Sequence, residues 1–293
     1  MRSVRKAAPE TVKRAGRHVF EITGTATAAL RLQPDFILIG AQRCGTTSLF
    51  RSLLAHPQVV RPTFHQKGIN YFDLNYYRGV HWYRGHFPIA EIARRRSGRD
   101  GRPSPFEASG YYLYHPFALE RMASDMPSVK LVVMLRDPVE RAFSAYKHEF
   151  ARGYESESFE DALRMEDQRL AGEVDRMRAD LRYESLPHRH QSYRHRGHYA
   201  EQLERVFRFF PRHQVHIIDS EAFFAQPATE YDSLLAFLGL RAFEPARFDQ
   251  YNGRPSVPMD SAIRGQLEDY YRPHDERLVS LLGRKPYWVQ RVR

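Results

Sequence analysis

The chain has 293 residues, of which 42% are hydrophobic, and its 45 Lys and Arg against 35 Asp and Glu give a formal net charge of +10. This length and hydrophobic content are sufficient for one large α/β domain. No segment approaches the roughly 18 apolar residues of a membrane-spanning helix, and the N-terminus lacks the apolar core of a signal peptide. The single cysteine, Cys44, excludes an intramolecular disulfide. We therefore expect a soluble, cytoplasmic protein.

Residues 1–33 precede the first predicted strand and begin with a basic stretch. Chain termini are poorly ordered unless other contacts hold them, so we expect a solvated arm. Peripheral contact of this arm with an anionic membrane is the alternative. No nucleic-acid-binding motif accompanies the positive charge, and we expect no nucleic-acid partner. The net charge alone does not distinguish an anionic membrane surface from an anionic cofactor or substrate.

An apolar strand, a polar turn and an amphipathic helix follow one another between residues 35 and 55. The sequence predicts the strand over Phe36–Ile39 and the helix from about Thr47 to Ala55. The turn between them spaces Gly40 and Gly45 as in the nucleotide-binding P-loop, but Thr46 stands where that pattern requires Lys. The turn is therefore expected to bind a phosphate donor other than ATP.

Backbone N–H groups give this turn an affinity for anions. The N–H groups of Gly45–Ser48 begin a helix and have no intrahelical partners, and the helix dipole favours negative charge at the same place. The hydroxyls of Thr46, Thr47 and Ser48 offer further hydrogen bonds. Arg43 is the only cation within the turn. We expect these groups to hold one phosphate-like group.

A second strand-to-helix junction lies at residues 129–146. The continuous apolar run Val129–Leu135 predicts a strand that is buried on both faces of a parallel sheet. Asp137 and Pro138 match the N-cap and the first position of a helix. Arg136 then lies at the carboxyl edge of the strand, and Ser144 follows about two helical turns later. Both side chains reach one anion only if Arg136 folds back along the helix.

Strands and helices continue to alternate after this junction. The pattern predicts a strand over Val215–Ile218, helices at 199–210 and 230–240, and a last helix or helix pair at 261–282. A charged helical pattern predicts an insertion at about 151–195. We therefore predict an α/β, P-loop-like nucleotide-binding fold, with a central mainly parallel sheet flanked by helices, as one domain over residues 34–293. Both junctions then point to the same sheet edge, where one ligand can contact both.

The two junctions together resemble the two cofactor motifs of sulfotransferases that use 3′-phosphoadenosine 5′-phosphosulfate (PAPS). The likeness is to the carbohydrate branch related to heparan sulfate sulfotransferases, and it covers roughly residues 34–285. Residues 39–49 and 136–146 carry it, together with the segments Tyr71-Phe72-Asp73, Gly79-x-x-Trp82-Tyr83, Glu107-Ala108-Ser109, Gly197-His198-Tyr199 and Tyr271–Leu278.

The resemblance implies roles for residues of both junctions. It implies binding of the 5′-phosphosulfate by Arg43, Cys44, Gly45, Thr46, Thr47 and Ser48. It implies binding of the 3′-phosphate by Arg136 with Ser144. Gly253 and Arg254 resemble the late loop that closes over the nucleotide end in this family. The family usually has Lys at the position of Arg43, and either cation stabilises charge on the leaving phosphate.

The reaction implied by the resemblance is transfer of a sulfuryl group to an acceptor hydroxyl or amine. A carbohydrate, a glycolipid and a small-molecule alcohol all fit as acceptor, and the family chemistry requires no metal. Relatives that act on sugar hydroxyls often place a general-base Glu just before the aromatic pair, and Gly68 stands at that position here. Glu107, at the end of a predicted strand, and His65 are the substitutes that we consider for the base.

Other interpretations predict different behaviour. A P-loop kinase or NTPase would turn over ATP with magnesium, although the lysine is missing at Thr46. A non-catalytic nucleotide-binding module that lost its base at Gly68 would bind the cofactor without turnover. Cys44 lies at the start of a predicted helix, a position that lowers the pKa of a thiol, so a reactive nucleophile is a further interpretation. No matching His–acid pair is visible in the sequence. The histidines at 188–198 lack the paired spacing of a zinc site.

Overall fold

The central sheet contains the strands β1 (Phe36–Gly40), β2 (Val59–Val60), β3 (Ser104–Ala108), β4 (Lys130–Leu135) and β5 (Val215–Asp219). Their order is β2-β3-β1-β4-β5, and every pair is parallel. These strands are seen in a computed structural model that describes residues 10–63, 67–98, 101–245, 247–249 and 258–290. The predicted parallel sheet is confirmed.

Strands β1 and β4 form the buried centre of the sheet. Phe36 pairs with Lys130 and Leu38 with Val132, and all residues of β1 are buried. Continuous apolar runs are typical of parallel strands that are covered on both faces. The chain moves from β1 towards the β2 edge and from β4 towards the opposite, β5 edge. The carboxyl ends of β1 and β4 therefore meet at the point of topological reversal, where ligands bind in open α/β sheets.

Helices of the described residues flank this sheet. Those before β4 are α1 (Glu10–Ala26), α2 (Thr46–Ala55), α3 (Tyr71–Leu74), α4 (Val80–Arg84), α5 (Ala90–Ser97) and α6 (Ala118–Asp125). Those after β4 are α7 (Pro138–Phe150), α8 (Phe159–Leu170), α9 (Glu173–Ala179), α10 (Leu186–His190), α11 (Tyr199–Phe209), α12 (Ser220–Ala225), α13 (Pro227–Leu238), α14 (Ser261–Leu282) and α15 (Tyr287–Gln290). None of them is long and apolar enough to cross a bilayer.

The segment at residues 91–105 is basic and contains glycine, a composition that favours a surface loop, but its described residues include regular structure. Residues Ala90–Ser97 form α5, and Ser104 begins β3. Arg is a good helix former, and Ala93 is buried on this helix. An amphipathic helix therefore accommodates the charged run.

The described part of the N-terminal segment packs against the domain and is not a solvated arm. Helix α1 crosses α4 so closely that a Cβ on Gly24 would lie 2.7 Å from the carbonyl oxygen of Gly85. Arg31 donates a hydrogen bond of 2.7 Å to the carbonyl of Phe87. Hydrophobic side chains on the outer face of α1 remain exposed, with Val19 60% accessible. This packing differs from the solvated arm that the sequence predicts.

The predicted insertion forms a layer of short helices rather than one long helix. Helix α8 ends at Leu170, and α9 begins after Gly172, whose positive φ of 75° breaks the run. A small hydrophobic cluster joins α7 and α14 to the insertion through Phe159, Tyr193 and Tyr271. The insertion is therefore fixed to the helix that follows β4.

Candidate active site

The segments that follow β1, β3, β4 and β5 line one cavity of about 1120 Å³. This volume exceeds the range of about 300–1,000 Å³ that is typical of small-molecule sites, so it is large enough for two reactants. The first three segments contribute the lining residues Gln42, Arg43, Gly45, Thr46, Thr47, Ser109, Gly110, Tyr111, Arg136, Glu140 and Ser144. The segment after β5 contributes Ser220, Glu221, Phe224 and Ala225. The cavity thus lies at the sheet edge that the sequence predicts.

The turn after β1 adopts the backbone geometry of an anion cradle. Gly45 has a φ of 82°, and a Cβ at this position would lie 3.0 Å from the Phe224 ring, so only glycine fits without strain. Arg43 also has a positive φ, 70°, which is costly for a residue with a side chain and is typical of functional sites. Among the described residues, the N–H groups of Gly45–Thr47 have no backbone acceptor, whereas the Ser48 N–H bonds to the Gly45 carbonyl.

The two predicted junctions are joined directly through Arg43. Its Nε donates a hydrogen bond of 3.0 Å to Oγ of Ser144 on α7. The Arg136 guanidinium approaches the Arg43 carbonyl at 3.5 Å and Glu140 at 3.7 Å. Arg136 and Ser144 therefore contact a common partner, and Arg136 reaches the loop without folding back to Ser144.

Lys67 is a site residue that sequence reasoning missed. Its Nζ donates to the hydroxyls of Thr46 and Thr47 at 3.1 and 3.2 Å. Burial lowers the pKa of Lys67 to about 8, and the charge of Arg43 adds to the shift. The segment after β2 carries this lysine to the sheet edge. Strand β2 has only two residues, so its sequence pattern is too weak to predict a strand there. The one sequence feature that could have indicated Lys67 is its position next to Gly68.

Positive charge dominates the lining of the cavity. Its carboxylates are Asp73, Glu140 and Glu221, whereas its lysines and arginines are Arg43, Lys67, Arg136, Lys147, Arg152, Arg189 and Arg196. Such a concave basic surface concentrates anionic ligands. The insertion supplies Arg152, Arg189 and His190, which we call the insertion wall.

Two predicted ligands of the phosphosulfate lie behind the loop rather than in it. Cys44 is fully buried and Ser48 is 2% exposed, and neither lines the cavity. Burial raises the pKa of the Cys44 thiol to about 11, although Arg141 and the Tyr199 hydroxyl oppose the shift. The expected fall in the thiol pKa is therefore wrong, because desolvation outweighs the helix dipole. Cys44 packs in the core and is not an exposed nucleophile.

Glu107, one of the two predicted base candidates, is enclosed below the lining. It is 1% exposed. Its Oε1 accepts hydrogen bonds from the Ile69 N–H and the Tyr112 hydroxyl at 3.0 and 2.7 Å, and its Oε2 accepts one from the Tyr83 hydroxyl at 2.6 Å. Burial raises the pKa of this carboxyl against those hydrogen bonds. Glu107 therefore orders the segment around Ile69, and we withdraw it as the base.

Three other predicted site residues fall outside the described part of the chain. They are His65, the second base candidate, and the nucleotide-loop residues Gly253 and Arg254. Gly68 itself is described and lines the cavity. A Cβ there would lie 2.8 Å from the Ala108 carbonyl oxygen, so the backbone leaves no room for a glutamate at this position.

Asp73 is one of the three carboxyl groups that line the cavity. Burial raises its pKa to about 7, with Arg189 opposing the shift and Glu107 reinforcing it. Its Oδ1 accepts the Leu74 N–H at 2.8 Å, and its Oδ2 accepts the Ser109 hydroxyl at 3.5 Å. Asp73 belongs to the segment Tyr71-Phe72-Asp73, which carries part of the family resemblance. Nothing in the sequence indicates that its carboxyl group lines the cavity.

A group of possible metal ligands lies elsewhere, where α11 meets α14. Ligand atoms of His198, Glu201 and His274 lie within 4.8 Å of one another. The two imidazoles, however, stack face to face at 3.9 Å with their planes 8° apart. Lone pairs in parallel ring planes do not converge on one ion, so this arrangement is a stacked pair rather than a chelate.

Comparison with known proteins places this site in a family. Residues 33–257 match the sulfotransferase domain family. The chain is 30% identical over 290 residues to the human bifunctional heparan sulfate N-deacetylase/N-sulfotransferase 3, an alignment that covers 88% of this chain and 31% of that protein. It is 27% identical to the membrane-associated sulfotransferase kil1 of Dictyostelium discoideum, covering 87% of this chain and 66% of that protein.

A solved structure extends the likeness to three dimensions. The sulfotransferase from Alicyclobacillus acidocaldarius is 32% identical, with a TM-score of 0.65 over 89% of this chain and all of that one. The family match over residues 33–257 includes the sheet and both junctions. The chain spans about a third of the bifunctional enzyme. The α/β fold is P-loop-like, as predicted, and the chain belongs to the sulfotransferase domain family.

Proposed function

We propose that this sulfotransferase moves the sulfuryl group of PAPS to a hydroxyl or amine of a carbohydrate. The hydrogen bond between Arg43 and Ser144 is the observation that supports the donor most directly. It holds the anion cradle and the α7 surface together, so that a ligand with phosphates at two positions can contact both. A nucleoside with a 5′-phosphosulfate and a 3′-phosphate is such a ligand.

The residues present fit this donor. The N–H groups of Gly45–Thr47 and the two threonine hydroxyls would hold the 5′ end, and Arg136 with Ser144 the 3′-phosphate. The Ser144 hydroxyl accepts from Arg43, which leaves its proton for a phosphate oxygen. Phe224, beside Gly45, offers an aromatic face for a nucleobase. Gly253 and Arg254 remain predictions for the nucleotide end.

The proposed chemistry depends on positioning and electrostatics. The donor supplies a sulfuryl group that is activated by a phosphate leaving group. Lys67 donates to the hydroxyls of Thr46 and Thr47, and Arg43 lies in the same loop and lines the same cavity. Both cations would stabilise the negative charge that develops on the bridging oxygen. The cavity holds donor and acceptor together, which removes much of the entropic barrier.

The choice of a carbohydrate acceptor is supported by the relatives and by the lining. The human relative is named for heparan sulfate N-sulfotransferase activity, although this chain corresponds to only part of that protein. Aromatic residues such as Tyr111 lie in the lining, and aromatic rings are suited to stacking on sugars. A glycolipid or a small-molecule alcohol remains a possible acceptor. A cytoplasmic location remains a prediction, supported by the single cysteine.

Lys67 argues against the P-loop kinase alternative. In ATP-binding loops the hydroxyl that follows the lysine position binds Mg²⁺. Here that hydroxyl belongs to Thr47, and it accepts a hydrogen bond from the Lys67 ammonium at 3.2 Å. A fixed cation of the protein thus stands where a kinase would bind the metal.

Calorimetry in EDTA tests the donor. We expect adenosine 3′,5′-bisphosphate to bind at least tenfold more tightly than ATP, because only the bisphosphate has a 3′-phosphate for Arg136. Preference for ATP, or dependence on Mg²⁺, would support a kinase. The non-catalytic module predicts a different result. The protein would bind the bisphosphate but would release none from PAPS, either in water or with N-desulfated heparan sulfate.

A further inference from the structure

An imidazole and a carboxylate form a buried pair at the insertion wall. His190 ends α10 and lines the cavity, and its Nδ1 lies 3.0 Å from Oε2 of Glu149 on α7. The Glu149 side chain is 2% exposed. Burial raises the pKa of Glu149, but the His190 hydrogen bond and the charges of His148 and Arg152 outweigh it and hold the pKa below its ordinary value. The carboxylate is therefore ionised at neutral pH.

The surroundings of the pair fix the direction of the imidazole. Its ring stacks on Tyr154 at 3.9 Å with the planes 7° apart. With Nδ1 directed at Glu149, the ring is held in the tautomer that carries its proton on Nδ1 and a lone pair on Nε2. No described residue forms a hydrogen bond with Nε2. A fixed lone pair on the cavity lining is the requirement for a general base.

The same carboxylate connects the pair to the donor cradle. The other oxygen of Glu149, Oε1, accepts a hydrogen bond of 3.2 Å from the Gln42 side chain. Gln42 precedes Arg43 in the loop and lines the cavity with it. The Arg196 guanidinium bonds to the side-chain oxygen of Gln42. His190 is thus linked through the Glu149 side chain to Gln42, the residue next to the proposed leaving-group cation.

We propose that His190 is the general base that accepts the acceptor proton and that Glu149 is its positioning residue. This inference rests on the proposed sulfuryl transfer. Gly68 stands where relatives often carry a glutamate, and Nε2 of His190 offers an acceptor atom for that role. Asp73, whose Oδ2 shares the Ser109 hydroxyl with Asn70, is the competing candidate that the test below includes.

The step balances without a further reactant. Nε2 of His190 takes the proton of the acceptor O–H or N–H while the acceptor atom forms a bond to sulfur. The bond between sulfur and the bridging oxygen breaks, and its electron pair remains on the 5′-phosphate of adenosine 3′,5′-bisphosphate. The imidazolium that forms is stabilised by Glu149 and then releases its proton to solvent.

His190→Gln tests the base, and His195→Gln is a matched control. His195 lies in the same insertion and is also held by a carboxylate, with Nε2 2.7 Å from Asp167, but it does not line the cavity. The readout is bisphosphate release from PAPS, in water and with N-desulfated heparan sulfate. We expect His190→Gln to slow release by about 10²–10⁴-fold and to bind bisphosphate within threefold of wild type. His195→Gln should behave as wild type.

Two further measurements separate a base from a structural role. Imidazole in solution should partly rescue His190→Ala. In ¹⁵N NMR spectra, His190 should show the Nδ1–H tautomer, and Glu149→Gln should mix the tautomers and lower turnover less than His190→Gln does.

The outcomes distinguish this inference from the proposed function. If the wild-type protein binds no bisphosphate, or releases none from PAPS, the proposed sulfotransferase mechanism itself is wrong. If wild type turns over PAPS and His190→Gln lowers that turnover no more than His195→Gln does, the assignment of His190 as the base is wrong. If Asp73→Asn instead slows release by about 10²–10⁴-fold and His190→Gln does not, Asp73 is the base and the His190 proposal is wrong.

Discussion

The two sides of the cavity differ in what holds them. The donor side is the end of β1 and β4, whose apolar residues form the main hydrophobic core. The insertion side rests on buried charges: Glu155 pairs with Arg169 at 2.7 Å and Glu166 with Arg194 at 3.4 Å, with both carboxylates inaccessible. Hydrophobic burial stabilises without direction, whereas a buried ion pair adds little net stability but is costly to break. The apolar core beneath the donor side should therefore tolerate volume-conserving hydrophobic substitutions, whereas the insertion side depends on a few specific partners.

The largest expected effect is on the insertion. Glu166 accepts the N–H groups of Arg194 and His195 at 2.8 and 3.0 Å as well as the Arg194 side chain. Glu166→Gln should lower the free energy of unfolding by about 3 kcal/mol, because one oxygen of the inaccessible carboxylate becomes an NH₂ group that faces the N–H donors of Arg194 or His195. The neighbouring Asp167→Asn removes an exposed partner of the same arginine and should cost less than about 1 kcal/mol. Urea unfolding measures both, and equal losses would refute the contrast.

The next largest effect is on the donor side. Arg136→Ala should weaken binding of adenosine 3′,5′-bisphosphate by about 30–100-fold, since a hydrogen bond to a charged group contributes about 1.5–3 kcal/mol. Binding of AMP, which lacks the 3′-phosphate, should change less than threefold. Arg189→Ala, on the insertion wall, should leave both affinities unchanged. Calorimetry that shows equal losses for the two nucleotides would remove Arg136 from the 3′-phosphate.

Gly68 marks the place where the donor side meets β3. Its N–H bonds to the Ala108 carbonyl at 3.0 Å, and an added Cβ would lie 2.8 Å from the same oxygen. Gly68→Ala should therefore cost about 1–3 kcal/mol through overpacking. Gly265→Ala, in the open part of α14, should be neutral or stabilising. Thermal unfolding compares them, and an unchanged melting temperature for Gly68→Ala would show that the backbone accommodates a side chain.

The smallest effect is a fraction of a proton at Lys67. Since the Lys67 pKa is lowered to about 8, part of its population is neutral at pH 8.5. A bound anion favours the charged form and raises this pKa, so bisphosphate binding should take up protons at pH 8.5. Calorimetry in buffers of different ionisation enthalpy measures this uptake, which should be absent in Lys67→Met. Equal uptake in both proteins would mean that another group titrates.

The sequence predicted the parts of the fold that repeat a strong local pattern. Strand β4 was readable because a continuous apolar run is followed by Asp137 and Pro138, which cap α7 as expected, with the Asp137 side chain accepting the Val139 N–H. Strand β2 has two residues and no pattern of its own, so Lys67 and the path that carries it to the site were missed. The long-range pairing with β3 defines this strand.

Contacts between distant segments decided the rest of the site. Cys44 and Ser48 have the right spacing for a phosphate loop, but the packing of α2 turns both into the interior. Glu107 is an acidic residue at a strand end, and only the tyrosines that donate to it reveal a structural carboxylate. The His190–Glu149 pair joins residues 41 positions apart, which no local pattern records.

The Arg43–Ser144 hydrogen bond has a kinetic consequence. It fixes the separation of the loop after β1 and helix α7, so a donor that spans them meets a template that is already assembled. Little entropy is then lost in ordering the protein during association. The basic cavity steers anions towards that template. We expect donor capture close to the rate of electrostatically steered diffusion, so that differences in affinity between nucleotides arise from how long each one stays bound.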